Sequence, residues 1–223
     1  MIPLRDVIPS RTRPGVTIAL IAFNIVIYLF QLTLTERGQQ AFIVGFGIIP
    51  AYFFLVSVLT SMFVHGGLAH LAGNMLFLWI FGDNVEDRLG HGRFILFYVV
   101  CGFAAALAQV SLEPNSLVPM VGASGAIAGV MGAYLVLYPR SRVLMLFPFP
   151  VFLFELPALV FLVMWFVMQF LNGVNQLPLF EQDAISGGVA FWAHVAGFVA
   201  GLILVVFMKR PERTRVEWWD TVS

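Results

Sequence analysis

Apolar residues in this chain fall into long runs. Six of them, near Val16–Leu34, Leu68–Gly82, Phe94–Val110, Met120–Tyr138, Phe149–Leu171 and Gly188–Met208, read as membrane-spanning helices. A seventh run, Phe42–Val64, is apolar enough by hydropathy alone to count as another span. Its Gly45, Gly47 and Pro50 suit a broken segment instead. Such backbone is tolerated at membrane depth only where protein or water covers its polar groups.

Charge placement decides between six spans and seven. Cytoplasmic loops are enriched in Lys and Arg. With six spans and the N-terminus inside, eleven of the twelve basic residues lie inside: Arg5, Arg11, Arg13, Arg88, Arg93, Arg140, Arg142, Lys209, Arg210, Arg213 and Arg215. Arg37 alone lies outside. If Phe42–Val64 also crossed, every later loop would change side and the split would fall to nine against three. The expectation is therefore six spans, both termini cytoplasmic, and Phe42–Val64 as an outer loop lying in or against the membrane.

Composition agrees with this class. The chain has 223 residues, of which 60% are hydrophobic and 11% charged, against roughly a quarter charged in soluble domains. No long polar stretch separates two apolar blocks. Residues 1–223 are thus expected to form one all-α, polytopic membrane domain, with a short cytoplasmic segment 1–14 and a basic tail 209–223. The opening "MIPLRDVIPSRTRPG" is too polar and proline-rich for the apolar core of a cleavable leader. Cys101 is the single cysteine, so neither an intrachain disulfide nor a cysteine metal site is expected. Net charge is zero and identifies no partner. The lipid bilayer is the partner implied by the composition, and no nucleic acid is expected. Trp218 and Trp219 in the tail suit the headgroup layer of the inner leaflet, or a solvated terminus.

Strongly polar groups inside membrane helices are costly and are candidates for function. His70 and Asn74 fall in the second span, Ser124 in the fourth and His194 in the sixth, while Glu155 falls near the inner start of the fifth. With six spans, the second, fourth and sixth all enter from outside. His70, Ser124 and His194 each lie within about two turns of a helix start, and one turn rises roughly 5.4 Å. They share one layer, below the outer surface and above the midplane.

Spacing allows them to meet. His70 and Asn74 are four apart and share a helix face. Gly125, Gly129 and Gly132 follow Ser124, and Gly197 and Gly201 follow His194 on the histidine's own face. Strips of small residues let membrane helices approach closely. A serine hydroxyl needs a base within hydrogen-bond reach to attack an acyl carbon, and histidine is the usual one. Acyl transfer also needs donors aimed at the developing oxyanion. The Asn74 amide, the His70 ring and the Ser124 backbone N–H are the candidates. No carboxylate lies at this depth to orient His194. Zinc chemistry lacks a His-Glu-x-x-His motif, and His65, His70 and His194 have no carboxylate or cysteine companion for a metal. Two other readings stay open: a membrane-segment binder that does not cut, and a small transporter with a polar pocket.

The stretches "HGGLAHLAGN", "GASGAIAG" and "AHVAGFVAG" resemble the three signatures of the rhomboid intramembrane serine proteases. "LTSMFVHGG" and "FGDNVEDRLG" extend the resemblance over nearly the whole chain. The resemblance implies a compact six-helix bacterial inner-membrane enzyme, without cofactor or metal, that cuts transmembrane protein substrates. It implies Ser124 as nucleophile and His194 as general base. It implies an oxyanion hole of His70, Asn74 and the Ser124 N–H. Gly122 would keep the turn before Ser124 open, and Gly125, Gly197 and Gly201 would support the site structurally. The fifth span, with the loop Asn172–Gly187, would be lateral gate and cap. Glu86 and Arg88 match structural hydrogen-bonding positions, and His65 a loop-packing one. Some relatives carry an aromatic residue one turn after the nucleophile that stacks on the base. Here that position is Ala128, so what orients His194 is not evident from the sequence. Oligomeric state and physiological substrate are not legible either.

Overall fold

The computed structural model describes residues 2–175 and 190–211. In chain order these form β1 (Ile2–Asp6), α1 (Gly15–Leu32), α2 (Glu36–Phe46), a 3₁₀ turn (Pro50–Tyr52), α3 (Leu55–Ser61), α4 (Leu68–Leu89), α5 (His91–Leu112), α6 (Ser124–Leu137), β2 (Arg142–Pro148), β3 (Val151–Pro157), α7 (Ala158–Asn175) and α8 (Phe191–Met208). The protein is a mostly helical, polytopic membrane bundle. Helices α1, α5, α7 and α8 are long and apolar enough to cross a membrane, and α6 is a shorter apolar helix. Helix α4 is as long as α5, but its last two turns carry Asp83, Glu86, Asp87 and Arg88.

Helix α6 is the centre of the bundle. Every residue from Ala126 to Tyr134 is buried, as expected for a helix that is apolar all round and packed on all sides. Its partners are α4, α5, α7 and above all α8. The α6–α8 contact is made by glycines in register. A Cβ on Gly197 would overlap the Gly125 carbonyl, and a Cβ on Gly201 would overlap the Gly129 carbonyl. The two backbones thus touch directly, the arrangement that small-residue strips permit.

The segment Phe42–Val64 is broken. Glycine and proline split it among α2, the 3₁₀ turn and α3, and α2 and α3 have only 11 and 7 residues. This loop is joined to the chain just before α6. Ile48 and Met120 exchange backbone hydrogen bonds of 2.9 and 2.7 Å, and the Gly122 N–H donates to the Ser61 carbonyl at 2.8 Å. The loop therefore braces the segment that carries Ser124.

At the opposite end of α6, the expectation of an all-helical fold is corrected. Strands β1, β2 and β3 form an antiparallel sheet in the order β1-β2-β3. Residues 149–157, read from hydropathy as the start of the fifth span, belong to the β2–β3 hairpin, and the helix begins only at Ala158. Pro148, Pro150 and Pro157 interrupt the helical hydrogen-bond ladder, and the intervening Phe, Val and Leu side chains favour strand. Hydropathy registers neither effect. Glu155 sits on β3, where it pairs with Arg142 across the hairpin at 3.2 Å, rather than inside a helix.

The N-terminal segment is tied to the last turns of α4. Glu86 accepts from the Val16 and Thr17 amides at 2.9 and 2.8 Å and from the Thr17 hydroxyl at 2.7 Å. A carboxylate there satisfies the open N–H groups at the start of α1 and complements its dipole. Asp87 accepts from the Arg11 and Thr12 amides at 2.6 and 2.9 Å, and Asp83 from the Ser10 hydroxyl. The greater part of the expected cap loop, from residue 176 onward, and the tail with Trp218 and Trp219 lie outside the described residues.

Candidate active site

Three helix starts converge on one cavity. Ser124 is the first residue of α6, His70 lies in the first turn of α4 and His194 in the first turn of α8. The cavity measures about 730 Å³, and Ser124, His194, His70, Asn74, Phe77 and Trp165 are among its lining residues. Gly122 explains how α6 can start there. Its φ of +115° lies where a side chain is disfavoured. A Cβ at this position would also stand 2.7 Å from the His70 ring and 3.4 Å from Asn74 Nδ2. Glycine thus lets the backbone before Ser124 lie against both side chains.

Ser124 and His194 are in contact. The Ser124 Oγ lies 2.8 Å from His194 Nε2. The glycine-to-glycine packing of α6 on α8 sets this distance, since both residues project from the same close pair of helices. Asn74 is buried, and its Nδ2 has no hydrogen-bond partner among the described residues. Asn74 lines the cavity, so its amide is a candidate donor there. His65 is buried with its ring 5.2 Å from that of His70, and its carbonyl accepts from Gln31 Nε2 at 2.8 Å. It packs against the site and does not line the cavity. Among the described residues, no three His, Cys, Asp or Glu side chains form a metal-holding group.

Sequence reasoning missed two residues of α7. Gln169 Oε1 lies 2.8 Å from His194 Nδ1, and the Trp165 ring stands 5.8 Å from the imidazole, inclined by 35°. Ala128, the position expected to face the base, is fully buried in the core. The available signal was a glutamine one turn after a tryptophan inside an otherwise apolar span. Gln109 on α5 was also missed. It is buried and accepts from the Ala193 amide at 3.1 Å, which fixes the start of α8 beside His194.

A hydroxyl paired with an imidazole inside a membrane bundle, next to an unpaired amide donor, defines a polytopic protein built around a candidate acyl-transfer site. The family model for the rhomboid domain matches residues 52–211, and the chain belongs to the rhomboid family. It is similar to the rhomboid protease GluP of Bacillus subtilis, 42% identical over 38% of this chain and 16% of that protein. It is similar to the mitochondrial rhomboid protein 1 of Saccharomyces cerevisiae, 38% identical over 43% of this chain and 29% of that one. To the rhomboid protease GlpG of Serratia proteamaculans it is 28% identical over 90% of this chain and 65% of that one. The chain thus spans less than two thirds of the length of each of these relatives.

Proposed function

We propose that the protein is an intramembrane serine endopeptidase that hydrolyses peptide bonds in or near transmembrane segments of other proteins. The observation that carries this reading is the 2.8 Å contact between Ser124 Oγ and His194 Nε2 inside the cavity. In the proposed reaction His194 takes the Ser124 proton as Oγ attacks the substrate carbonyl carbon. The Asn74 amide, the His70 ring N–H and the Ser124 backbone N–H at the start of α6 stabilise the oxyanion. His194 then gives its proton to the leaving amine, and water releases the acyl group by the same route in reverse. Among the described residues no carboxylate joins this serine–histidine pair.

The topology goes with the chemistry. We assign six spans: α1, α4, α5, α6, α7 and α8. The sheet and both termini face the cytoplasm, and the enzyme sits in a bacterial inner membrane. The basic residues at the sheet end support this orientation. Substrates enter between α4 and α7. These helices meet through aromatic rings, with Phe161 stacked on Phe77 and Phe81 at 6.1 and 6.2 Å. Much of the rest of α7 is exposed apolar surface. A substrate helix must unwind to present its carbonyl, so segments with weak helix formers near their outer ends are preferred.

Reaction with a fluorophosphonate tests the assignment. Oγ attacks phosphorus, the P–F bond breaks, and His194 receives the proton. Peptide mass spectrometry is expected to place the adduct on Ser124, with no labelling of folded His194→Ala. An adduct elsewhere, or none on folded wild type, would remove Ser124 as the nucleophile.

A further inference from the structure

We propose that Gln169 is the positioning residue for His194, and that it makes the serine–histidine pair dependent on the placement of α7. This rests on the reading of Ser124 and His194 given above. The oxygen of a side-chain amide only accepts hydrogen bonds. With Gln169 Oε1 at 2.8 Å from Nδ1, the imidazole carries its hydrogen on Nδ1. Nε2 is then left as the acceptor facing the Ser124 hydroxyl at 2.8 Å. That is the tautomer a general base requires, and a partner on the far nitrogen is what selects it. In serine–histidine–aspartate enzymes a carboxylate does this work. Among the described residues no carboxylate is in hydrogen-bond contact with His194, and a neutral amide occupies the place.

Trp165 completes the arrangement. It precedes Gln169 by one turn, so both side chains leave the same face of α7. Its ring lies against the imidazole at 5.8 Å and against Phe198 at 6.1 Å. The ring of His194 is thus bonded at Nδ1 by Gln169 and packed beside the tilted ring of Trp165. Both come from the helix that borders the proposed entry route, and neither comes from α6 or α8.

Three readouts test this. Gln169→Met keeps the length and removes the acceptor, while Gln169→Glu keeps the acceptor. A fluorophosphonate is small and needs no helix unwinding, so its labelling rate reports the pair rather than substrate docking. Gln169→Met is expected to label about 10- to 100-fold more slowly, part of the 10²–10⁴ that a positioned base supplies. Gln169→Glu is expected to label at least tenfold faster than Gln169→Met. In ¹⁵N-histidine spectra, assigned by comparison with His194→Ala, wild type is expected to show protonated Nδ1 and unprotonated Nε2 at His194. Gln169→Met should lose that single-tautomer pattern. Equal labelling by folded Gln169→Met, failure of Gln169→Glu to exceed it, or a wild-type spectrum with hydrogen on Nε2 would each overturn the assignment. Absence of labelling in wild type itself would instead strike the serine–histidine reading.

Discussion

At the residue scale, the site is a set of side chains whose partners are nearly all supplied by other helices. Ser124 meets a histidine of α8, and that histidine meets a glutamine of α7. Asn74 differs, with its Nδ2 buried and without a partner among the described residues. We propose that this donor serves a negative charge that forms only during reaction. Asn74→Ala is therefore expected to lower kcat by about 100- to 1,000-fold, the usual loss for one oxyanion donor, with KM and melting temperature nearly unchanged. Peptide turnover kinetics alongside a thermal melt check this, and a folded variant with wild-type kcat would take Asn74 out of the mechanism. His70, Asn74, Ser124 and His194 were all legible in the sequence because each is a strongly polar group in an apolar span. Gln169 was equally polar and equally placed. Its span carries no recognisable motif, however, and an amide is not the acid that usually orients a histidine base.

At the element scale, the geometry rests on α6 and α8 touching backbone to backbone. The glycine strips announced that contact in the sequence, and the overlap a Cβ at Gly197 would make with the Gly125 carbonyl shows how little room remains. Gly197→Ala must push the helices apart or strain both. The expected cost is about 1–3 kcal/mol of stability, seen as a lower melting temperature in detergent, together with slower fluorophosphonate labelling as the Ser124–His194 distance grows. Wild-type stability and labelling in Gly197→Ala would show that the contact is not tight. The sheet was not legible for a different reason. Hydropathy reports whether a segment is apolar, while strand or helix in "RVLMLFPFPVFLFELP" is decided by three prolines and by pairing with residues at the far N-terminus. The break of Phe42–Val64 into short pieces was legible, since glycine and proline interrupt a helix locally.

At the scale of the whole molecule, the N-terminus closes the structure at the end opposite the cavity. Strand β1 adds to the hairpin, and Asp6 accepts hydrogen bonds from the Tyr134 hydroxyl at 2.6 Å and from Asn84 Nδ2 at 3.1 Å. Burial pushes the Asp6 carboxyl up to about 6; the neighbouring Asp83 also raises it, against the lowering effect of the Tyr134 hydrogen bond. A carboxyl with a folded pKa above its unfolded value stabilises the fold most when protonated. That contribution is full below about pH 4 and is lost as pH rises through about 6. Amide exchange in β1 is thus expected to be better protected at pH 5 than at pH 7.5, once corrected for intrinsic rates, and Asp6→Asn should flatten the difference. Equal protection at both pH values in wild type would mean that Asp6 does not govern the docking of β1.

The central proposal is that Ser124 and His194 together cut peptide bonds within the bilayer. The most direct measurement is cleavage of a panel of single-pass transmembrane segments in proteoliposomes by wild type, Ser124→Ala and His194→Ala, each shown to be folded. Wild type is expected to cleave near the outer ends of segments rich in weak helix formers, and neither variant is expected to cleave. Cleavage that persists in Ser124→Ala, or its absence in folded wild type across the panel, would contradict it.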